Sequence, residues 1–332
     1  MMTSESEEYS IYAFYKFAQL PDDYADLREP ALELCQANNV TGLLLISAEG
    51  VNGTVSGTRK DIELLLAFLV DKQPLLKGVK YKVSFAQKPP FYSMRIRLKQ
   101  EIVTMGIAQD ECDPSKLVGK YVAAAEWNNV LEDPDVLVID ARNDYETKLG
   151  TFKGAKVVDP NLTCMNEFPE YVKNNLDPSI HSKVAMFCTG GIRCEKASSY
   201  MLRQGFKEIL HLEGGILQYL ESIPQEESKF EGECYVFDER LTVDHTLRPG
   251  KTAVSQCYGC RRPLTKEDLS SDDYEEFVQC GKCAAGLDSK KKSRRRQRAI
   301  QMELATQRGT SHTKRQQIES SIPSHDSAQQ DK

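Results

Sequence analysis

The chain lacks the apolar segments that membrane and secreted proteins carry. Its longest apolar runs, such as residues 64–70, fall far short of the ~20 residues that cross a bilayer. The N-terminus, MMTSESEEYS, is acidic and has no basic region followed by an apolar one, so we expect no secretory signal. The 332 residues are therefore expected to form a cytoplasmic protein with no membrane partner.

Signatures of the common redox cofactors are also missing. The sequence contains no GxGxxG fingerprint for a dinucleotide, so neither a flavin nor a nicotinamide motif is seen. The histidines do not pair with a carboxylate at the spacing of an iron-binding facial triad. All five are scattered and are expected at surface or structural positions: His181, His211, His245, His312 and His325.

Basic charge is scarce on average but concentrated near the C-terminus. The formal net charge of −6 by itself argues against a nucleic-acid partner. Residues 284–332, however, contain 11 lysines and arginines against 5 acidic residues, so this stretch carries +6 and the preceding chain −12. Residues 290–298, KKKSRRRQR, hold seven of those cations. The tail is either a solvated, solubilising segment or an arm that binds phosphate groups.

The first hundred residues have the pattern of a small α+β domain. Alternating apolar segments predict strands, and apolar residues at helical spacing predict helices between them. The expected strands cover residues 9–17, 41–46, 51–55, 79–85 and 94–98, and the expected helices cover 22–38 and 58–71. This order matches a ferredoxin-like split βαβ unit. Within it, Asn52-Gly53 is expected to form a tight turn.

A second unit alternates strands and helices. Two short apolar runs, at residues 136–139 and 184–187, are typical of strands buried on both faces. Helices are expected at residues 124–131, 167–174, 194–204 and 215–222. The alternation predicts an α/β domain with a parallel sheet, in which ligands bind at the carboxyl ends of the strands. Asp140 and Arg142 follow the first strand, and Cys188 follows the second.

The segment CTGGIRC, residues 188–194, has the composition of a nucleophile loop. Its glycines allow successive backbone N–H groups to converge on an anion at the start of a helix. A Cys188 thiolate is stabilised there by those groups, by the helix dipole and by Arg193. A buried cysteine before a glycine turn is the structural alternative. The loop is shorter than the cradle of cysteine-dependent phosphatases, so it suits a persulfide or another compact group better than a phosphate.

Two CxxC pairs follow nearer the C-terminus. Nineteen residues separate the pair Cys257 and Cys260 from the pair Cys280 and Cys283, which lies within the spacing of four-cysteine zinc ribbons. Four thiolates complete a tetrahedral site with no open position, so we expect a structural zinc ion. Four free cysteines are the alternative.

Several motifs together resemble one family. Asp140-x-Arg142 with Glu146, followed by a CxxGxR loop that opens a helix, is similar to the rhodanese domain. CTGGIRCEKAS at 188–198, AEGVNGT at 48–54 and IRLKQEIVTMG at 96–106 resemble, more specifically, the rhodanese-like, oxygen-dependent tRNA uridine hydroxylases. The double CxxC segment and the basic tail follow in the same order. The resemblance therefore covers roughly residues 8–318.

The resemblance implies an acylphosphatase-like N-terminal domain, a rhodanese domain and a cysteine-rich segment. The expected boundaries are 1–7 disordered, 8–106 acylphosphatase-like, 107–119 linker, 120–226 rhodanese, 227–286 cysteine-rich and zinc-binding, and 287–332 a basic, disordered tail. This tail has few large apolar residues and cannot offset the entropy of ordering, so a fraying helix is the most structure expected of it.

The resemblance also implies an activity, which is hydroxylation of the wobble uridine (position 34) of certain tRNAs at base carbon 5, with dioxygen as co-substrate. Cys188 is then the catalytic cysteine, and Arg193 and loop N–H groups stabilise its anion. Cys194 either resolves an oxidised Cys188 or packs inward. The remaining residues implied are Thr189, Gly190, Gly191 and Ile192 in the loop, with Asp140 and Arg142 bracing it.

The route of oxygen activation is a separate hypothesis. Because no cofactor motif accompanies the activated thiolate, we hypothesise that Cys188 adds to uracil carbon 6. The adduct makes carbon 5 enolate-like and able to react with dioxygen directly.

The expected partner is the anticodon region of tRNA, and the sequence is silent on protein partners. Cations would contact phosphates, and Phe91 and Tyr92 would either stack on an unpaired base or join the core. The predicted RNA-binding cations are Arg95, Arg97, Lys99, Lys290, Lys291, Lys292, Arg294, Arg295 and Arg296.

Two other functions fit parts of the sequence. A rhodanese-type sulfurtransferase would carry a persulfide on Cys188, and the loop alone supports it equally well. A binding module with an inactive rhodanese fold is the third reading, but intact Cys188 and Arg193 argue against it. The basic arm and the cysteine pairs favour the hydroxylase, because small-molecule sulfur transfer needs neither.

Overall fold

The computed structural model describes residues 9–109 and 111–310. The segment 1–7, expected to be disordered, and the end of the tail, 311–332, lie outside the described residues. The chain forms two compact units, residues 1–252 and 253–332. Helices in the described ranges are too short or too polar to span a bilayer.

The N-terminal domain has the expected α+β pattern. Its elements are β1 (Tyr9–Phe17), α1 (Arg28–Ala37), β2 (Thr41–Ser47), β3 (Gly50–Gly57), α2 (Arg59–Lys72), β4 (Lys80–Ala86) and β5 (Met94–Leu98). The strands pair in the order β4-β1-β3-β2-β5, with β2 and β5 parallel. Alternation along β1 places Tyr12 and Phe14 in the core with the apolar residues of both helices, whereas Ala13 and Tyr15 face the other side.

Asn52 and Gly53 do not form the predicted turn. Both lie inside β3, and the chain reverses at Ala48 and Glu49 instead. Gly53 pairs across the sheet with Phe14, and a Cβ at Gly53 would stand 2.8 Å from the Phe14 ring. The glycine is therefore required by the packing of an aromatic side chain, which a local turn pattern does not reveal.

The second domain contains the predicted parallel sheet, whose strands lie in the order 120–122, 208–212, 183–187, 137–140 and 157–158. The two apolar runs form two of its three inner strands, which are covered by helices. The elements are β6 (Lys120–Val122), α3 (Ala124–Glu132), β7 (Leu137–Asp140), α4 (Asp144–Thr147), β8 (Gly150–Phe152), β9 (Val157–Val158), α5 (Phe168–Asn175), β10 (Lys183–Phe187), α6 (Ile192–Arg203), β11 (Glu208–Leu212) and α7 (Gly215–Ser222).

Two expected boundaries differ from the structure. The segment 107–119 is packed rather than a simple linker, because Cys112 is fully buried and its thiol donates to the carbonyl oxygen of Lys196 at 3.2 Å. Residues 227–252 belong to the first unit rather than to the cysteine-rich one, because β12 (Phe230–Gly232) pairs with β8 and Phe230 joins the rhodanese core. Strands β13 (Cys234–Tyr235) and β14 (Thr242–Val243) follow as a small hairpin.

The second unit contains a helix where a disordered tail was predicted. Its elements are β15 (Ser255–Gln256), β16 (Pro263–Leu264), α8 (Lys266–Leu269), α9 (Gly281–Ala284) and α10 (Ser289–Gln307). Of the two expectations for this stretch, disorder and a fraying helix, α10 corresponds to the helix. The side chain of Asp288 caps its first turn by accepting from the N–H of Lys291, and Met302 and Ala305 are buried. Strong helix formers make up most of this stretch, and together with the cap they favour a helix even though few apolar residues are available for burial.

Candidate functional site

Cys188 lies where β10 ends, at the carboxyl edge of the sheet, and is fully buried. Helix α6 begins at Ile192 rather than at the predicted Cys194, because Gly191 adopts a left-handed φ of 97° and turns the chain into the helix. The Gly191 N–H donates to the Cys188 sulfur at 3.1 Å. Gly190 and Ile192, predicted as further donors, make no such bond within the described part of the chain.

The surroundings of Cys188 favour its thiolate. Burial alone would raise the pKa of Cys188, but hydrogen bonds from Cys194 and Gly191 and the positive charge of Arg193 outweigh burial and lower the pKa to about 5. Cys194 is itself fully buried, and burial together with the neighbouring thiolate raises its pKa. The two sulfur atoms therefore form a hydrogen-bonded pair in which Cys188 carries the charge.

Arg193 is fixed by Glu146 rather than by the sulfur. Its guanidinium donates to both carboxylate oxygens of Glu146, at 2.5 and 2.8 Å, and to the Thr189 hydroxyl at 3.2 Å. The Thr189 hydroxyl in turn donates to Glu146 at 3.1 Å. Burial would raise the pKa of Glu146, but the Arg193 charge holds it low. A planar ion pair thus orients the cation beside the loop.

Asp140 is the last residue of β7, and Arg142 follows two residues later. Arg142, fully buried, donates to both oxygens of Asp140 at 2.8 and 2.6 Å and to the carbonyl oxygen of Gly150 at 2.6 Å. The pair ties the end of β7 to β8, a placement compatible with the predicted bracing role.

The glycine pair Gly214-Gly215, which was not predicted from the sequence as part of the site, also supports the loop. Gly215 has a φ of 67°, and a Cβ there would stand 2.5 Å from the carbonyl oxygen of Cys188. This close approach lets the N–H groups of Ile216 and Leu217, at the start of α7, donate to the carbonyl oxygens of Cys188 and Thr189 at 2.9 and 3.1 Å. In the sequence, two adjacent glycines between a predicted strand and a predicted helix indicate such a tight turn.

A cleft of about 1010 Å³ lies between the Cys188 loop and the N-terminal sheet. Its walls come from the loop and the first turn of α6, from β1, β3 and β4, from the start of α3, from α7 and the residues before it, and from the region after β12. The loop residues on its surface are Thr189, Gly190, Ile192 and Arg193. The cleft gives the buried Cys188 loop a chamber large enough for a nucleobase with its sugar.

Several residues of the cleft were not predicted from the sequence. The Tyr15 hydroxyl donates to Glu195 at 2.8 Å, and Tyr121 also bonds that carboxyl. Burial lowers the pKa of Lys82 to about 8. These contacts join residues up to 180 positions apart, and no local motif marks them.

The predicted cations on β5 are exposed at the sheet edge farthest from β4. Strand register places Arg97 beside Leu45, and the same row continues through Asn52 and Tyr15 to Lys80. Arg95 and Arg97 therefore lie on the sheet face that lines the cleft, with lysines at the opposite edge. Lys99 is exposed just past the strand.

Phe91 and Tyr92 lie outside the cleft wall and are half-buried, and the Tyr92 hydroxyl donates to Glu239 at 3.1 Å.

The four C-terminal cysteines lie together. The sulfur atoms of Cys257, Cys260, Cys280 and Cys283 are all within 4.8 Å of one another, with separations of 3.7 to 3.9 Å for three of the pairs. Tetrahedral zinc with Zn–S bonds of about 2.3 Å requires sulfur–sulfur edges of about 3.8 Å. The cluster could therefore hold a metal ion, and the donor set and spacing fit zinc.

Helix α10 sorts the predicted basic residues into two groups. Arg295 is engaged inside the unit, since its guanidinium donates to the carbonyl oxygens of Val278 and Gly259 at 3.1 and 2.9 Å and approaches Cys283. Its role as an RNA contact stays a prediction, and these internal bonds give it a structural role as well. Arg296 and Lys292 pair with Glu275, and Lys291 pairs with Asp288. Lys290 and Arg294 are exposed, with no ion pair to any described residue.

Comparison with known proteins bears on all three segments. Residues 9–102 match the family model of the UPF0176 acylphosphatase-like domain, residues 123–222 match the rhodanese-like domain, and residues 231–294 match the rhodanese C-terminal domain. The fold class predicted from the sequence is confirmed.

Individual proteins are similar to the whole chain or to parts of it. The chain is 49% identical over 305 residues to a tRNA uridine(34) hydroxylase of Teredinibacter turnerae, covering 92% of each chain. Among solved structures, an acylphosphatase from Coxiella burnetii is 19% identical, with a TM-score of 0.23, over 29% of this chain and 100% of its own. A rhodanese-like domain from Anabaena is 18% identical, with a TM-score of 0.27, over 34% of this chain and 78% of its own. Because it is 49% identical to this bacterial relative over 92% of each chain, the chain belongs to the tRNA uridine(34) hydroxylase family.

Proposed function

We propose that this protein hydroxylates carbon 5 of the wobble uridine at position 34 of tRNA, with dioxygen as the oxidant. The observation that carries the proposal is the Cys188 loop, whose sulfur is poised as a thiolate behind the wall of a cleft of about 1010 Å³. Identity of 49% to a protein named for this activity supports it.

Cys188 serves as the nucleophile in this proposal. Its sulfur bonds to carbon 6 of uracil, and the electron pair of the C5=C6 bond moves toward carbon 5 and the carbonyl oxygen at carbon 4. Carbon 5 then has enolate character and bonds to dioxygen to form a C5 peroxide. Two electrons and two protons from a thiol reductant, which is oxidised to a disulfide, convert this peroxide into the C5 hydroxyl and water. A thiol with its pKa near 5 is ionised at neutral pH, so the adduct forms without a separate base.

The tRNA substrate enters through the cleft. A wobble base lies in a single-stranded loop and is turned out of its stack at low cost. The row from Arg97 to Lys80 supplies positive charge at both edges of the sheet face, where the flanking phosphates would bind. The exposed Lys290 and Arg294 of α10 offer further phosphate contacts. tRNA acts in the cytoplasm, which is the compartment that we propose for the enzyme.

The four-cysteine cluster is proposed to hold zinc in a structural role. Four thiolates leave no open coordination position, so the ion would stabilise the small second unit and take no part in the reaction.

The proposal is tested by nucleoside analysis of tRNA from a deletion strain. Strains carry the wild-type gene, the Cys188→Ser variant, or the matched control Cys164→Ser, which alters an exposed cysteine of the same domain. We expect 5-hydroxyuridine and its derivatives to be present with the wild type and the control and absent with Cys188→Ser. Normal 5-hydroxyuridine with Cys188→Ser would overturn the proposal, and a loss of thiolated nucleosides alone would instead support sulfur transfer through a Cys188 persulfide.

A further inference from the structure

Glu195 is a cleft carboxyl that the thiolate chemistry does not use. It lies in the first turn of α6, directly after Cys194, and its half-buried side chain lines the cleft beside Thr189 and Gly190. No other part of the proposed reaction accounts for a carboxyl at this position.

Two tyrosines from separate parts of the unit hold Glu195. The Tyr15 hydroxyl of β1 donates to its Oε1 at 2.8 Å, and the Tyr121 hydroxyl of β6 bonds the same carboxyl. A Cβ on Gly191 would stand 2.9 Å from the Tyr15 oxygen, so this tyrosine lies against the loop around Cys188. The carboxyl is therefore fixed close to the nucleophile by contacts that cross the domain boundary.

The charges around Glu195 suit proton transfer. Burial raises the pKa of Glu195, and the negative charge of Cys188 raises it further. The hydrogen bonds from Tyr15 and Tyr121 and the charge of Lys80 on β4 act in the opposite direction without cancelling the rise. A carboxyl with a raised pKa is a better general base near neutral pH than an ordinary one.

Hydroxylation of carbon 5 requires such a base, because the hydrogen on that carbon is lost from the final aromatic ring. We propose that Glu195 removes this proton once the oxygen on carbon 5 is a hydroxyl, an inference that rests on the proposed hydroxylase function. The electron pair of the C5–H bond forms the C5=C6 bond, and the pair of the C6–S bond returns to Cys188 as thiolate. The proton moves to a carboxylate oxygen of Glu195, and the step uses no oxidant or reductant.

Other carboxylates near the cleft have different partners. Glu213 at the rim is 44% exposed and pairs with Lys80 at 3.0 Å. Glu146 accepts hydrogen bonds from Arg193, Thr189 and the N–H of Asn143. Glu213 is accordingly a matched control, since it is a carboxylate of the same cleft without the tyrosine contacts.

The experiment measures single-turnover hydroxylation of tRNA that carries uridine or 5-deuterouridine at position 34. We expect Glu195→Gln to lower the rate about 10²- to 10⁴-fold and to raise the deuterium isotope effect above that of the wild type, because loss of the base makes C5–H cleavage slowest. Formate is expected to restore part of the activity of Glu195→Ala by taking the place of the missing carboxyl. Glu213→Gln is expected to leave the isotope effect unchanged.

The outcomes separate this inference from the proposed function. No 5-hydroxyuridine from the wild type would refute the function itself. If the wild type is active and the Glu195→Gln variant hydroxylates tRNA at nearly the same rate, the role of Glu195 is refuted. A slow Glu195→Gln variant with an unchanged isotope effect, together with a Glu195→Ala variant that formate does not rescue, would also refute it, because that pattern indicates a purely structural residue.

Discussion

Lys196 donates hydrogen bonds to both carboxylate oxygens of Glu49, at 2.9 and 2.6 Å, and so joins the active-site helix to the N-terminal domain. The same ammonium group binds Glu101 at 2.7 Å and the carbonyl oxygen of Val103 at 2.8 Å. Glu49 also accepts from the N–H of Ile102 at 2.6 Å. The segments 48–54 and 96–106, which carry the family resemblance, thus meet at one buried lysine of α6.

Removing the lysine should destabilise the first unit strongly. Lys196→Met leaves the buried Glu49 and the partly buried Glu101 without their cation, and we expect a loss of about 3–5 kcal/mol in the free energy of unfolding. Urea unfolding measures this change. The control Lys72→Met removes a cation from an exposed pair with Asp71 and should cost within about 0.5 kcal/mol. Equal, small losses in both variants would contradict the prediction.

The Cys188 thiol should titrate far below an ordinary cysteine. We expect the thiolate absorbance, measured as wild type minus Cys188→Ser, to appear with a midpoint at about pH 5. Because the folded pKa lies below the ordinary value of about 8.5, the thiolate adds stability that is complete above that value and is lost as the pH falls toward 5. A midpoint near the ordinary value would show that the loop does not activate the sulfur.

Cys194 should resolve an oxidised Cys188. After mild peroxide treatment, the Cys188 sulfenic acid and the Cys194 thiol form a disulfide and release water, which mass spectrometry detects as a cross-link between the two residues. Cys194→Ser should accumulate sulfenic acid on Cys188, while Cys164→Ser should still form the cross-link. If the wild type keeps sulfenic acid and no disulfide forms, Cys194 is an inward-packed helix residue only.

Freshly purified protein should contain one equivalent of zinc. Removal by a strong chelator should lower the melting temperature of the second unit, because metal binding contributes directly to the folding of such small clusters. Cys280→Ser should lose the metal, and Cys164→Ser should retain it. Full-length protein without bound metal would defeat the assignment.

Charge reversal at Arg97 on the sheet face, or at Arg294 on α10, should weaken tRNA binding. Arg97→Glu and Arg294→Glu are each expected to reduce the slope of log affinity against log salt by about 1 for each lost phosphate contact. Titration of labelled tRNA at several salt concentrations measures the slopes. Lys60→Glu, at an exposed cation of α2 on the opposite side of the sheet, serves as the control. Identical slopes for all three variants and the wild type would exclude both predicted contacts.

Local patterns determined much of this protein. The CTGGIRC loop, the two CxxC pairs and most strands could be predicted from the sequence because each depends on neighbouring residues, on backbone freedom at glycine or on short ligand spacing. Local patterns did not predict the conformation where packing between residues distant in sequence determines it. Gly53 accommodates the Phe14 ring within a strand, and no turn forms there.

The negative mean charge concealed a basic end of the chain, but only the tertiary structure decided what its cations do. Arg295 packs against carbonyl groups beside the cysteine cluster, whereas Arg294, its neighbour in sequence, is exposed. Likewise, the sequence identified Cys188, and only the fold brings Tyr15 and Glu195 to its loop from positions 180 residues apart. The physical reason is that burial and pairing between distant side chains depend on how whole elements pack, which short-range sequence patterns do not specify.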